Sequence, residues 1–269
     1  MKKRKTLWER FTGGYLILLL LFIYLPILYV VVFSFNESKS LTNFTGFSLK
    51  WYQNMFSDRT MLESIYTTVL VAVVATAVST VVGTVAAIGL SKAKKLIRSL
   101  VLEINNLPVM NPDIVTAIGL MLLFISTRIQ LSLTTMILSH ITFCIPYVIL
   151  TIMPKLRQLD DNVAEAALDL GATPWQALIK VILPQIYPAI LSGALIAFSM
   201  SFDDFVISFF TTGVGINNIS MYVYSMKRYN PSVNAMSTLI VVVVNAILIL
   251  VNIIPALRDR KIKKGEQSI

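Results

Sequence analysis

A chain of 269 residues with 56% apolar and only 14% charged positions, and a mean hydropathy of +0.74, lies outside the range of soluble domains, which carry about 25% charged residues. The formal charge of +9 raises nucleic acid as a partner, but the Lys and Arg residues flank apolar runs, so a bilayer is implied and a polynucleotide is not. A single cysteine, Cys144, excludes an internal disulfide, and a single histidine, His140, argues against a histidine-rich metal site.

In chain order, residues 1–12 form a basic N-terminus with Lys2, Lys3, Arg4, Lys5 and Arg10. The first apolar run, 13–35, is too long for a cleaved leader and reads as a transmembrane helix. Residues 36–63 are polar, with Phe47, Trp51, Tyr52, Met55 and Phe56 at helical spacing. That pattern suits a short interfacial helix with an aromatic side among the headgroups, or a contact for an external partner. The second run, 64–90, is rich in Ala, Val, Thr and Gly, which let helices approach closely in lipid. Lys92, Lys94, Lys95 and Arg98 follow it.

The third run, 99–126, is interrupted by Pro108 and Pro112, each of which removes a backbone donor. A break at membrane depth is tolerated only where protein or a wet cavity surrounds it. The fourth run, 131–153, holds His140, Cys144 and Pro146. Cys144 reads as packing, and His140 as a hydrogen-bonded residue between helices or a proton relay. The fifth run, 187–212, contains Asp203 and Asp204; the sixth is 236–255, and a basic tail closes the chain at 256–269. The predicted architecture is all-α, a polytopic protein with six transmembrane helices over 13–255. Seventeen of the 23 Lys and Arg residues fall on the side that holds both termini, the 91–98 loop and the 154–186 segment. The positive-inside rule makes that side cytoplasmic.

Residues 160–188 are a mixed-polarity island between apolar runs. Asp160, Asp161 and Asn162 offer N-cap side chains, and Val163, Ala166, Ala167 and Leu170 share one helical face. Gly171 stands where a helix ends in a left-handed residue. Thr173 and Pro174 restart a helix whose apolar face is Trp175, Leu178, Ile179, Ile182 and Leu183, with Pro184 and Pro188 punctuating its exit. Two short amphipathic helices joined by a tight turn are predicted.

The chain carries no phosphate-binding loop, no His-Glu-x-x-His and no nucleophile elbow, so it is read as a non-enzyme, with any ATP hydrolysis on another chain. Carboxylates inside apolar runs are expensive and mark pathways. A continuous rise of about 1.5 Å per residue puts Asp113 roughly 21 Å and Asp203 roughly 24 Å into their runs. Asp113, after Asn111 and Pro112, serves either a path or only as a helix cap. Asp203 and Asp204 cannot share a helix face, so at most one points into a pore and the other pairs elsewhere, a neighbouring subunit being one partner. Phe202, Phe205, Phe209 and Phe210 surround them. Carboxylates beside aromatic faces suit an ammonium ligand.

The letters Glu165-Ala166-Ala167, three residues, Gly171, nine residues, Val181, one residue, Leu183-Pro184 resemble the EAA loop of ABC importer permeases, with Val181 in place of isoleucine. Residues 111–115 (NPDIV), 139–148 (SHITFCIPYV), 165–172 (EAALDLGA) and 201–210 (SFDDFVISFF) extend the likeness to permeases of the spermidine/putrescine type, over about 16–250. The resemblance implies a type I ABC importer (MetI-like) fold in the cell membrane, with Glu165, Ala166, Ala167, Gly171, Leu183 and Pro184 coupling to an ATPase. It implies a homologous second permease subunit, an ABC ATPase dimer that holds ATP and Mg2+, and an extracytoplasmic polyamine-binding protein; this chain would carry no cofactor. The readings that stay open are a permease for another small solute, an intramembrane enzyme, and a passive channel or scaffold.

Overall fold

The computed structural model describes residues 7–160, 162–246 and 249. Asp161, the basic first residues 1–6, most of the last apolar run beyond 246, and the tail 256–269 lie outside the described residues. Among the described residues there are helices and no strand beyond one isolated bridge, Asn36 with Phe47. The helices are α1 (Leu7–Phe33), α2 (Lys50–Ser57), α3 (Arg59–Lys92), α4 (Lys95–Met110), α5 (Asp113–Ser126), α6 (Leu133–Arg157), α7 (Asn162–Asp169) and α8 (Pro174–Ala177). They continue with a π-helical turn at Leu178–Ile182, then α9 (Leu183–Phe202), α10 (Val206–Thr211), α11 (Ile219–Ser225) and an apolar helix α12 (Ser232–Ala246).

Four of these are long and apolar enough to cross a membrane: Gly14–Phe33, Arg59–Lys92, Leu133–Arg157 and Pro174–Phe202. A fifth candidate is the pair α4 and α5, bent by 105° at Asn111-Pro112. The predicted interruption is therefore present at Pro112, while Pro108, expected to break the run as well, stays inside α4; the angle ends the straight-rise reckoning for Asp113. A proline cannot donate to the preceding turn and pushes its neighbour out of the α region, so Asn111 adopts an extended conformation and the chain turns. The sixth run enters as α12 and leaves the described residues before 255.

The chain divides into two compact units, one of Met1–Arg59 with Met226–Ile269, the other of Thr60–Ser225. In the first, Asn36 closes the loop ahead of α2. Its Nδ2 donates to the carbonyls of Ser40 (3.2 Å) and Asn43 (2.9 Å), its Oδ1 accepts from the Thr45 N–H (2.9 Å), and its carbonyl accepts from Trp51 Nε1 (2.6 Å). This corrects the predicted aromatic side of α2. Trp51 and Met55 are buried, while Phe47 and Phe56 are exposed, because the indole N–H needs a partner and finds one in the loop.

In the second unit the core is built on α6 against α9, joined by α3, α5 and α10, and includes Phe143, Cys144, Val148, Ile152, Ile186, Ala197 and Ile207. Small residues on α3 permit the approach: Ala72, Ala75, Ser79, Gly83 and Ala87 are all buried. A Cβ at Gly83 would stand 2.7 Å from Val148 Cγ1, and one at Gly193 on α9 would stand 3.5 Å from the same atom. Val148 is thus held between two glycines. Gly83→Ala is expected to destabilise the purified protein by about 1–3 kcal/mol through overpacking, with partial recovery in Gly83→Ala/Val148→Ala. Heating in detergent, with folded protein read by size exclusion, checks this; additive losses in the double variant would show that the two positions do not share a contact.

Candidate functional site

Two regions carry all the predicted site residues except Asp113, which opens α5, and all of them lie in the unit Thr60–Ser225. The first is the island. Its first helix, α7, starts where Asp160 Oδ1 accepts from the Asn162 N–H at 3.0 Å. It ends in a complete glycine-based stop: the Gly171 N–H donates to the Leu168 carbonyl at 2.9 Å and the Ala172 N–H to that of Ala167 at 3.0 Å, with Gly171 at φ +87°. The carbonyl of Ala167, one of the two EAA alanines, is therefore part of the turn. The restart also follows the sequence. Thr173 caps α8 and exchanges bonds with Gln176: the Gln176 N–H donates to Thr173 Oγ1 (3.3 Å) and the Thr173 N–H to Gln176 Oε1 (3.0 Å).

The exit does not follow it. Pro184 and Pro188 were expected to end the second short helix, but α8, the π turn and α9 run on as one helix of 29 residues, Pro174–Phe202. A proline inside an α-helix clashes with the carbonyl four residues back. The π turn widens the ring at that point, with the Leu183 N–H donating to the Leu178 carbonyl five residues earlier, and the helix passes Pro184 unbroken. The predicted apolar faces also need correction. Ala177 is buried, but Trp175 is 67% and Leu170 90% exposed, since a hairpin this short leaves one side without a neighbour in its own chain. Glu165, Ala166 and Gly171 are exposed; Leu183 is half-buried and Pro184 exposed.

The second region is the break after α9. Asp203 and Asp204 fall between α9 and α10, and their fates differ. Asp204 turns inward, its side chain 8% exposed. Its carboxylate accepts from the first N–H groups of α10, Ile207 (3.2 Å) and Ser208 (2.8 Å), and from Ser208 Oγ (2.9 Å), and it lies 3.4 Å from His140 Nε2. From the position before Phe205, the N-cap residue, it caps α10 in place of a side chain there, satisfying donors that would otherwise be orphaned. The pairing expected with a neighbouring subunit is replaced by a pairing inside this chain.

His140 on α6 bridges to both sides of the break, with Nδ1 2.7 Å from Ser201 Oγ and Nε2 2.9 Å from Ser208 Oγ. Donor counting assigns its proton. Ser208 gives its hydroxyl hydrogen to the carboxylate, an acceptor only, so His140 Nε2 carries hydrogen and donates to Ser208. Asn218 closes the network, its Nδ2 donating to the Asp204 carbonyl (2.7 Å) and to Ser208 Oγ (2.9 Å) while its Oδ1 accepts from the Met221 N–H (2.8 Å). Ser201, Ser208 and Asn218 are not singled out by the sequence; the two serines show only as polar residues inside an apolar run, and Asn218, in the polar loop that follows it, gives no signal.

Asp203 is exposed, at the C-terminus of α9. Phe205 and Phe209 of the predicted aromatic set cluster, at 5.4 Å between ring centroids, and are joined by Tyr224 of α11 at 4.8 Å from Phe205. Phe202 instead stacks on Phe198. Asp113 is exposed in the first turn of α5, with Pro112 and not Asp113 at the cap position. Cys144 is core, its Sγ 3.5 Å from the Ala197 carbonyl.

Residues 79–264 match the family described as binding-protein-dependent transport system inner membrane component. The chain belongs to this family. The chain is 35% identical over 232 residues, 86% of its length and 88% of the relative's, to the spermidine/putrescine transport system permease protein PotC of Escherichia coli K12. It is 37% identical over 228 residues, 81% of each chain, to the putrescine transport system permease protein PotI of the same strain. Among solved structures, a chain of a bacterial ABC transporter involved in the import of the acidic polysaccharide alginate shares the fold, with a TM-score of 0.72 at 16% identity, covering 95% of this chain and 99% of that one. The chain is accordingly a helical, multi-pass membrane permease.

The two aspartates separate in a stability experiment. Asp204→Ala is expected to lower stability by about 1–3 kcal/mol, leaving buried donors without a partner, while Asp203→Asn stays within about 0.5 kcal/mol of the parent. Thermal unfolding of the purified protein in detergent tests both; equal losses would contradict the assignment of Asp204 as the cap.

Proposed function

We propose that this chain forms half of the translocation pore of an ATP-driven polyamine importer in the cell membrane, with both termini cytoplasmic. Its partners on this reading are a homologous second permease, an ABC ATPase dimer and an extracytoplasmic polyamine-binding protein. The observation that carries the reading is mechanical. The exposed hairpin of α7 and α8, with Glu165, Leu170 and Trp175 outward, is continuous through α9 with the acid at Asp203. That rod of 29 residues is roughly 43 Å long at about 1.5 Å per residue. A push on the hairpin is transmitted along a helix instead of being absorbed in a joint, which is what alternating access driven by a separate ATPase requires.

The cargo reading rests on charge. Asp203 sits at the negative end of the α9 dipole, a placement unfavourable by about 0.3–1 kcal/mol for a carboxylate with no cation nearby. A passing ammonium group offsets that, and the rings of Phe205, Phe209 and Tyr224 add a face for it. Asp113 is a second acid on the path. Asp204 acts through Asp203 by fixing the turn, and is a positioning residue. Binding along the path must stay weak, since the cargo has to leave.

Reconstitution in proteoliposomes, with labelled spermidine or putrescine outside and ATP inside, reads uptake and hydrolysis together. Gly171→Pro is expected to leave ATP hydrolysis in place and cut uptake on the order of tenfold, because the left-handed stop no longer forms. Uptake tightly tied to hydrolysis in that variant would remove the hairpin from coupling. Asp203→Asn is expected to lower polyamine uptake with assembly intact; unchanged uptake would take this acid off the path, and uptake of an uncharged solute in preference would replace polyamine as the cargo.

A further inference from the structure

We propose that the cleft where α3, α4, α6 and α7 meet binds the phosphodiester headgroup of an anionic phospholipid. The cleft has a volume of about 210 Å3, roughly seven times that of a water molecule in the liquid. Among the described residues three cations line it, Lys92 at the end of α3, Arg98 in the first turn of α4 and Arg157 at the end of α6, with the acid Asp160; Leu156 and Ile182 give it an apolar wall.

Lys92 and Arg157 also suit the negative ends of their own helices. Arg98 does not. It lies at the positive end of α4, where Lys95 is also present, no acid stands in the first turn, and Lys94 at the cap position makes no side-chain capping bond. Cations at a helix N-terminus are unfavourable, and the free N–H groups there attract an anion. Arg98 is half-buried, and neither it nor Arg157 forms an ion pair with another described residue. Asp160 is committed on one oxygen to the Asn162 N–H. A phosphodiester would neutralise the charge of Arg98 and Arg157 and face the α4 N-terminus.

Place decides between a lipid and a soluble phosphate. Lys92 and Arg157 are the last residues of two candidate spans, so the cleft lies at headgroup level, and its wall is apolar. Basic pockets between spanning helices at that depth meet anionic headgroups at high local concentration. The inference is independent of the cargo, and it ties a membrane lipid to the root of the α7 hairpin.

The test uses the full-length protein with its co-purifying partners, delipidated in mild detergent. Native mass spectrometry and thermal unfolding are followed on adding phosphatidylglycerol, phosphatidylcholine or inorganic phosphate. Phosphatidylglycerol is expected to be retained and to raise Tm, with both effects abolished by high salt, while phosphatidylcholine and phosphate do neither. Arg98→Gln/Arg157→Gln is expected to weaken retention on the order of tenfold, Arg98→Lys to keep it, and Lys39→Gln, a cation elsewhere, to leave it unchanged. Equal retention of phosphatidylglycerol and phosphatidylcholine by the parent protein, or of phosphatidylglycerol by parent and double variant, overturns the proposal. A Tm rise with inorganic phosphate alone overturns the lipid in favour of a soluble anion. If the double variant fails to assemble, the parent lipid comparison and Arg98→Lys decide.

Discussion

The constraint on which the structure depends is that a bilayer interior offers no water to a broken helix. Each N–H released where a helix stops must find an acceptor within the protein. The chain breaks inside its apolar runs at Asn111-Pro112 and again between Phe202 and Val206. At the second break the acceptor is a carboxylate. Asp204 takes the first donors of α10, and His140, Ser208 and Asn218 hold it in place. The charge that looks most out of place in the sequence is thus the one that makes the break tolerable. Its neighbour is carried outward by the same turn.

A second consequence concerns force. On the proposed reading, movement passes from the surface hairpin into the spans, and a flexible joint would dissipate it. Pro184 threatens to supply such a joint. The π turn at Leu178–Ile182 accommodates the proline, so that α8 and α9 stay mechanically one. On the other side, Gly171 makes the reversal sharp enough for α7 to lie back along the rod. A left-handed residue and a widened helical turn, eleven or fewer positions apart, give the hairpin a fixed shape and the rod its continuity.

Much of this was legible in the sequence. Gly171, Thr173 and Pro174 announced their geometry because caps and left-handed residues are local, decided by a few neighbouring atoms. The small residues of α3 announced close packing, and Gly83 against Val148 shows where. The reading failed where a partner lies far along the chain. The spacing of Trp51 suggests a side facing headgroups or an external partner, because its acceptor, the Asn36 carbonyl, is reached only after the loop closes. Tyr224 joined Phe205 from nineteen residues away, and Asp204 found His140 across sixty-four.

The sequence by itself determined that the chain lives in a membrane, that its third apolar run is interrupted near its prolines, that a capped hairpin carries the Glu165 to Pro184 letters, and that acids stand among aromatic residues; which of Pro108 and Pro112 breaks the helix it left open. These follow from composition and from interactions within a few residues. Only the tertiary structure decided that Asp204 is buried and Asp203 exposed, and that Arg98, Arg157 and Lys92 share one cleft. Adjacent residues carry the same local signal, and what separates them is which distant helix each side chain meets.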